Sequence, residues 1–435
     1  MRKVNSPALE QALAYLYDLQ KYGIKFGLSS TSNLLERLGK PHQRLQAIHI
    51  AGTNGKGSTA AMLSAILVSA GYQVGLYTSP HLVKFNERFR INEQDAKDEE
   101  ILEVYQRVKG VVDEREPPTF FEITTAMALS LFSKKRVDWA ILEVGMGGRL
   151  DATNVIQPQS TVINNIDLDH QEFLGATLSR IAREKAGIIK EGIPLITAVK
   201  QPAALAVIKA RCLEVNAPYY RVGREIKVRS LGSQYFNYRG LKWRLENLRL
   251  PLAGRHQVVN AATALGGLEV LERQGQLSLD PELIGEGLAS TRWAGRLEWL
   301  SHRPPVILDG AHNCAGMATL CRALQEEYRY KRLIVVLGIM ADKDLRGMIL
   351  RLAPRADKVI LTQPQYERAA PPESLREVAG DFANRTELIA PVKAALERAI
   401  DLATLEDLVL VTGSLYFIGE IKEIFGHHNK EEIIK

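Results

Sequence analysis

The stretch Ala47-Ile48-His49-Ile50-Ala51-Gly52-Thr53-Asn54-Gly55-Lys56-Gly57-Ser58-Thr59 reads as a short apolar strand, a glycine-rich turn and the start of a helix, Ser58 to Ala70. Phosphate binding requires that order. Glycines let backbone N–H groups point inward at phosphate oxygens, the helix start adds the positive end of its dipole, and Lys56 can neutralise terminal phosphate charge. The match to GxxxxGK[ST] is imperfect, because Gly57 follows the lysine and the hydroxyls of Ser58 and Thr59 come one place late. A ligand-free strand-to-helix turn is the plain alternative, and the elements on either side weigh against it.

Outward from this loop, short β-branched runs alternate with longer helical patterns. This is the habit of βαβ units that build a parallel sheet with helices on both faces. Strands are expected at Gln73 to Thr78, Trp139 to Val144, Thr161 to Asn165 and Leu195 to Val199. From Ile226 to Leu250 the pattern breaks into KVRSL, QYFNY and LKWRLENL, which predicts an antiparallel meander at the edge of the first domain. Strands resume at Val306 to Leu308, Leu333 to Leu337, Lys358 to Thr362 and Leu408 to Thr412, so a second doubly wound domain follows. The boundary is expected within Ser290 to Arg296, giving domains 1–294 and 295–435 with a ligand-binding cleft between them. The charged tail after Gly426 is expected to fray.

The 435 residues allow two or three domains at about 150 residues each. The net charge of +6 is spread without a basic block or an aromatic-interleaved stripe, so no nucleic-acid partner is expected, and acidic small-molecule substrates account for it. Cys212, Cys314 and Cys321 lack CxxC spacing, which argues against a disulfide framework or zinc cluster and for a reducing cytoplasm. Cys314 and Cys321 are expected to be buried apolar thiols on one helix face. Leu9, Leu13, Leu16 and Tyr17 mark an amphipathic helix, not a signal peptide. The longest uncharged stretch, Gly57 to Val83, has an apolar part too short to cross about 30 Å of hydrocarbon, so no membrane segment is expected.

Other polar residues fall at strand ends. Glu143, before the glycines of Val144-Gly145-Met146-Gly147-Gly148-Arg149-Leu150-Asp151, is a candidate Mg²⁺ ligand, since Mg²⁺ takes one or two protein carboxylates and fills the rest from phosphate and water. A surface salt bridge is the alternative for a strand-end glutamate. His170, in Asp167-Leu168-Asp169-His170, could reach the same crevice. Asp309 and His312, in Leu308-Asp309-Gly310-Ala311-His312-Asn313, could turn toward the cleft, while Asn313 could serve only as a helix cap. By spacing alone Lys185 is a solvated helix lysine.

Together these motifs resemble the folylpolyglutamate synthase family, whose bacterial members often also act as dihydrofolate synthase and which belongs to the Mur ligase superfamily. The resemblance rests on IAGTNGKGST (50–59), LYTSPHL (76–82), ExGxGGRLDATN (143–154), DLDHQEFLG (167–175), REKAGIIK (183–190), GRHQVVNAATAL (254–265), GRLE (295–298), LDGAHN (308–313) and TGSLYFIGE (412–420). It implies an α/β fold: a P-loop, Mur-ligase-like central domain with a small antiparallel β element, and a Rossmann-like C-terminal domain. The implied reaction is ATP-dependent. A folate or dihydropteroate carboxylate attacks the γ-phosphate, and L-glutamate captures the acyl phosphate.

By the same resemblance, Thr53, Asn54, Gly55, Lys56, Gly57 and Ser58 bind phosphate, and Asn260, Arg296 and Asp309 contact the nucleotide. Ser79, Glu143 and His170 hold two Mg²⁺ ions, with a monovalent cation also implied. Lys185 matches a lysine that the family carbamylates with CO₂, which would make it an oxygen-donor ligand, and His312 lies close to the phosphates. Thr119, Phe120, Phe121, Glu122, Leu150, Asp151 and Ala152 resemble segments that line a pterin pocket. A cytoplasmic monomer is expected. Two competing readings are a Mur-type ligase acting on a nucleotide-linked sugar and a P-loop ATPase without ligase activity. Only about fifty residues precede Gly52, too few for the extra domain of the first, and the second leaves Glu143, His170 and Lys185 without a role.

Overall fold

Strands that a parallel sheet covers on both faces must be apolar along their whole length, and β1 (Ala47–Ala51) is buried at every position. In the computed structural model, which describes residues 7–23, 25, 27–232 and 234–427, β1 lies at the centre of an eight-stranded sheet. The others are β2 (Val74–Tyr77), β3 (Phe89–Ile91), β4 (Gln94–Asp95), β5 (Trp139–Glu143), β6 (Ser160–Ile163), β7 (Leu195–Thr197) and β8 (Tyr219–Arg221), in the order β4-β3-β2-β5-β1-β6-β7-β8. β3 pairs antiparallel with β2 and with β4, and the remaining pairs are parallel.

The helix Lys56–Ser69 starts two residues earlier than expected and is buried from Gly57 through Leu67. The sheet covers one side of it, and the helices Arg255–Arg273 and Pro281–Ser290 cover the other. Gly287 allows the close approach, since a Cβ there would lie 2.5 Å from Ile66 Cα. On the opposite face of the sheet, the helices Pro7–Asp18, Ser29–Arg37, Asp98–Lys109 and Phe120–Lys135 enclose a second core. Each fully buried Leu, Ile or Phe in these layers contributes about 1.5–3 kcal/mol.

The meander is present as β9 (Lys227–Gly232), β10 (Tyr235–Arg239) and β11 (Arg244–Arg249), but as a separate sheet. A single bridge between Val222 and Ile226 follows the edge strand β8. Phe236, Tyr238, Leu245 and Leu248 face the core shared with the helices Arg255–Arg273 and Pro281–Ser290. Buried Glu269 fixes that position by accepting from Tyr238 Oη and Leu241 N, both at 2.8 Å.

The C-terminal sheet comprises β12 (Glu298–His302), β13 (Pro305–Asp309), β14 (Leu333–Leu337), β15 (Lys358–Leu361), β16 (Thr386–Leu388) and β17 (Leu408–Thr412), in the order β12-β13-β17-β14-β15-β16. It is parallel apart from β12. The sequence does not signal β3, β4, β8, β12 or β16. All five lie at or next to a sheet edge, where short, half-exposed strands lack a continuous apolar run.

Cys321 is buried, but Cys314 corrects the expectation of an apolar thiol: it is half-exposed and donates to Asp344 Oδ2 at 3.1 Å. The tail expected to fray lies, from residue 428, outside the described residues. No described helix is long and apolar enough to cross a membrane.

Candidate active site

The loops leaving the C-terminal ends of β1, β5 and β6 converge where the strand order reverses around β1, the usual ligand position in an open α/β sheet. Gly55 stands at φ 81°, in the left-handed region that only glycine adopts without penalty, and caps the helix Lys56–Ser69. The segment after β6 holds the loop: Thr53 N donates to Asn165 O (2.9 Å), Asn54 N to Asn165 Oδ1 (2.9 Å) and Asp167 N to Thr53 Oγ1 (3.0 Å). The departure from the usual spacing has a packing reason. A Cβ on Gly57 would lie 2.9 Å from Trp293 Cζ2, so the residue after the lysine has no room for a side chain.

Charge in this loop is poorly matched. Lys56 Nζ folds back onto Gly52 O (3.2 Å) and stands 4.0 Å from Glu143 Oε1. Ser58 Oγ is buried and has no hydrogen-bond partner among the described residues. Glu143 is buried and accepts from Ser79 N at 3.1 Å; burial pushes its carboxyl up, and Lys56 only partly opposes this. Lys185 is not the solvated helix lysine its spacing suggests. It is buried on the helix Leu178–Ala186 and donates to Gly52 O at 2.9 Å, and burial, then the charge of Lys56, pulls its ammonium down to about 7. A lysine in that range supplies the neutral amine that carbamate formation needs.

The second sheet closes the site from above. Asp309, at the end of β13, accepts from Leu297 N (3.1 Å) and Ala311 N (2.9 Å), with the Arg296 guanidinium close by and its carboxyl pushed up by burial. Asn313 caps the helix Cys314–Glu327 through Gly316 N (2.7 Å), as its place before the helix suggests, yet its Nδ2 also donates to Asn54 Oδ1 and Asp169 Oδ2, both at 2.9 Å. Asp169 accepts from Lys343 Nζ at 2.8 Å, and His312 Nε2 stands 3.5 Å away. Burial alone would raise the Asp169 carboxyl, but His312, His170 and Lys343 outweigh it and hold the group far below the usual carboxylate range. His170 is pulled down to about 4, chiefly by burial, so its ring is neutral at pH 7 and able to ligate.

All the sequence-predicted residues line one cleft of about 1120 Å³. At its other end Phe120 stacks on Tyr17 (centroids 5.9 Å apart), and Phe121 meets Tyr77 (6.0 Å). Thr119 and Glu122 form the capping box of the helix Phe120–Lys135, Thr119 N donating to Glu122 Oε2 (2.6 Å) and Glu122 N to Thr119 Oγ1 (3.3 Å). Asp151, between Leu150 and Ala152, accepts from Met146 N (2.9 Å) and Thr153 N (3.0 Å) and so holds the glycine turn after β5. Asn260 sits over Gly55, where a Cβ would lie 2.6 Å from its Oδ1.

Sequence reasoning passed over Arg88, His256, Lys343, Tyr366 and Tyr416, which line the same cleft. No strand-end position or spacing marks them.

Among the described residues no group of three or more His, Cys, Asp or Glu gathers to hold a metal unaided. The donors present, Ser79, Glu143, His170 and the orphaned Ser58 hydroxyl, suit an ion that draws most of its ligands from phosphate and water.

Residues 50–268 match the Mur ligase middle domain, and residues 295–415 match the Mur ligase glutamate ligase domain. The dihydrofolate synthase/folylpolyglutamate synthase of Bacillus subtilis is 37% identical, over 96% of this chain and 99% of that one, and its Escherichia coli counterpart is 34% identical, over 95% and 94%. Among solved structures, Mycobacterium tuberculosis folylpolyglutamate synthase complexed with ADP and AMPPCP superposes with a TM-score of 0.91 at 32% identity, covering 97% of this chain and 99% of that one. E. coli FolC in complex with DHPP and ADP gives 0.89 at 34% identity, with 98% and 99% covered. The chain belongs to the dihydrofolate synthase/folylpolyglutamate synthase family of Mur ligases.

Proposed function

We propose that this protein is an ATP-dependent ligase that joins L-glutamate to folates through an acyl phosphate, and that it also converts dihydropteroate to dihydrofolate. The observation that carries the chemistry is the cluster of unmet polar groups around Gly52–Ser58. Among the described residues, a buried hydroxyl without a partner, a buried carboxylate with one hydrogen bond and a lysine whose ammonium is held near 7 meet at a phosphate loop. The acceptor carboxylate attacks the γ-phosphorus as the bond to the bridging oxygen breaks and ADP leaves. The amino group of L-glutamate, having lost a proton, then attacks the acyl carbon and inorganic phosphate departs.

Carboxylate and triphosphate repel each other, so fixed positive charge and backbone donors are needed to bring them into line. Residues Thr53 to Ser58 cradle the phosphates, with Lys56 opposing the charge that grows on them. Asn260, Arg296 and Asp309 hold the nucleotide, and His312 approaches the phosphates from the second sheet. Ser79, Glu143, His170 and carbamylated Lys185 would hold Mg²⁺, which supplies charge neutralisation between the two anions. A carbamate nitrogen keeps one hydrogen, so Lys185 could still donate to Gly52 O after modification. Phe120, Phe121, Leu150 and Ala152 form the wall for the acceptor's ring system, with Thr119, Glu122 and Asp151 shaping it. Arg88 receives a carboxylate of L-glutamate.

Units 1–294 and 295–435 carry the two walls, and since one chain supplies both, a cytoplasmic monomer suffices. The test is ADP release with ATP, Mg²⁺ and L-glutamate, with dihydropteroate and tetrahydrofolate compared as acceptors. Turnover with both is expected. ADP release indifferent to L-glutamate would leave a P-loop ATPase instead.

A further inference from the structure

Between Ser79 and Arg88 the chain forms a bracket whose two ends face the cleft. At one end Ser79 N donates to Glu143 Oε2; at the other, buried Arg88 stands with Cζ 5.0 Å from the Phe120 ring centroid. Glu87 fixes the backbone between them by accepting from Leu82 N (2.8 Å), Val83 N (3.1 Å) and Lys84 N (2.8 Å). The helix Leu415–His427 presses on the bracket from the second sheet, where Gly419 lies against Leu82 O with no space for a side chain.

Inside the bracket, Arg88 Nε donates to His81 Nδ1 at 2.8 Å. A guanidinium only donates, so Nδ1 must carry the lone pair and Nε2 the proton. Phe120 packs against the guanidinium, and the bond from Nε to His81 restricts its rotation. With Nε engaged, the Nη pair is the fork left for a carboxylate. Arg88 also lies close enough to Tyr416, on the helix Leu415–His427, to act on its hydroxyl. It acts on Glu143 beside Lys56 as well, so a carboxylate on its fork would lie between the second sheet and the phosphate loop, where the amino group of the incoming amino acid must meet the acyl phosphate.

We propose that His81 is a positioning residue for L-glutamate: by accepting from Arg88 Nε it aims the Nη fork at the amino-acid substrate's carboxylate. The assignment rests on the ligase reading above. The side-chain oxygen of asparagine falls where histidine carries Nδ1, so His81→Asn keeps the acceptor, whereas His81→Phe keeps only the ring. With ATP and tetrahydrofolate saturating, His81→Phe should raise the KM for L-glutamate at least roughly tenfold, the lower end of the effect of losing one hydrogen bond to a charged group. Its kcat should stay within about twofold, as should KM for ATP and acceptor, and His81→Asn should restore most of the affinity. An unchanged KM for L-glutamate, a rise confined to the acceptor, or equal effects of both substitutions would overturn the assignment while leaving the ligase reading intact. A wild-type protein that makes no glutamyl product would overturn both.

Discussion

Two lysines, buried Lys185 and half-buried Lys343, face the same cleft in opposite surroundings. Lys343 meets Asp169 at 2.8 Å, and Asn313 joins them, so the bridge between the two sheets is a paired, hydrogen-bonded network. Among the described residues the Lys185 ammonium has only the carbonyl of Gly52 as a hydrogen-bond partner, and burial pulls it down to about 7. The carboxylates divide the same way: Asp169 is held far below its ordinary range and Glu143 is pushed up. The bridge is built for stability, and the phosphate-loop wall is left incomplete for a ligand. Substitutions on the two sides should therefore separate activity from stability.

The largest effect belongs to the wall. Lys56→Ala should lower kcat by roughly 10³-fold, the scale of removing a preorganised charge from a transition state, with the melting temperature little changed. A variant with near wild-type turnover would remove the phosphate-loop assignment. The next effect falls on the bridge. Asp169→Asn takes from half-buried Lys343 its close counter-charge, leaving it only Asp342 at 3.8 Å among the described residues, and should cost about 2 kcal/mol in denaturant unfolding. The sign with pH follows: a carboxyl held low in the fold adds stability above the unfolded carboxylate range and loses it as pH falls, so the deficit of Asp169→Asn should shrink in acid.

Lys185→Ala should lose roughly 100-fold in activity, with partial rescue by a short carboxylic acid, and Lys185→Arg should stay inactive because a guanidinium cannot take up CO₂. Its stability slope has the same sign as that of Asp169, rising with pH, but it lies in the alkaline range and relieves a penalty where Asp169 adds a bonus. With the folded lysine near 7 and the unfolded one at 10.5, the unfolded chain binds more protons in between. The penalty is therefore complete below pH 7 and relieved as pH rises to 10.5, and Lys185→Met should flatten that rise. The smallest effect is Glu143→Gln, expected to gain on the order of 1 kcal/mol in stability while shifting residual activity to higher Mg²⁺. A loss of stability, or an unchanged Mg²⁺ dependence, would place Glu143 with the paired groups instead.

This contrast also explains what the sequence discloses. Ala47–Ala51 and Leu333–Leu337 are legible because a strand covered on both faces is one unbroken apolar run. Glu143, His170 and Asp309 follow from their positions at strand ends. The local pattern cannot disclose partners that folding brings together: Lys343 and Asp169 lie 174 residues apart. Arg88 reads as one charge in a mixed segment until His81 and Phe120 are placed beside it. Lys185 looks like any helix lysine, and only its burial separates it from one in solvent.

The central claim is that the acceptor's own carboxylate attacks the γ-phosphate of ATP. Tetrahydrofolate labelled with ¹⁸O in its glutamate γ-carboxylate, turned over with ATP and L-glutamate, tests it directly. An acyl phosphate transfers one labelled oxygen to the inorganic phosphate released with each new amide bond. Unlabelled phosphate alongside the glutamyl product would contradict the mechanism.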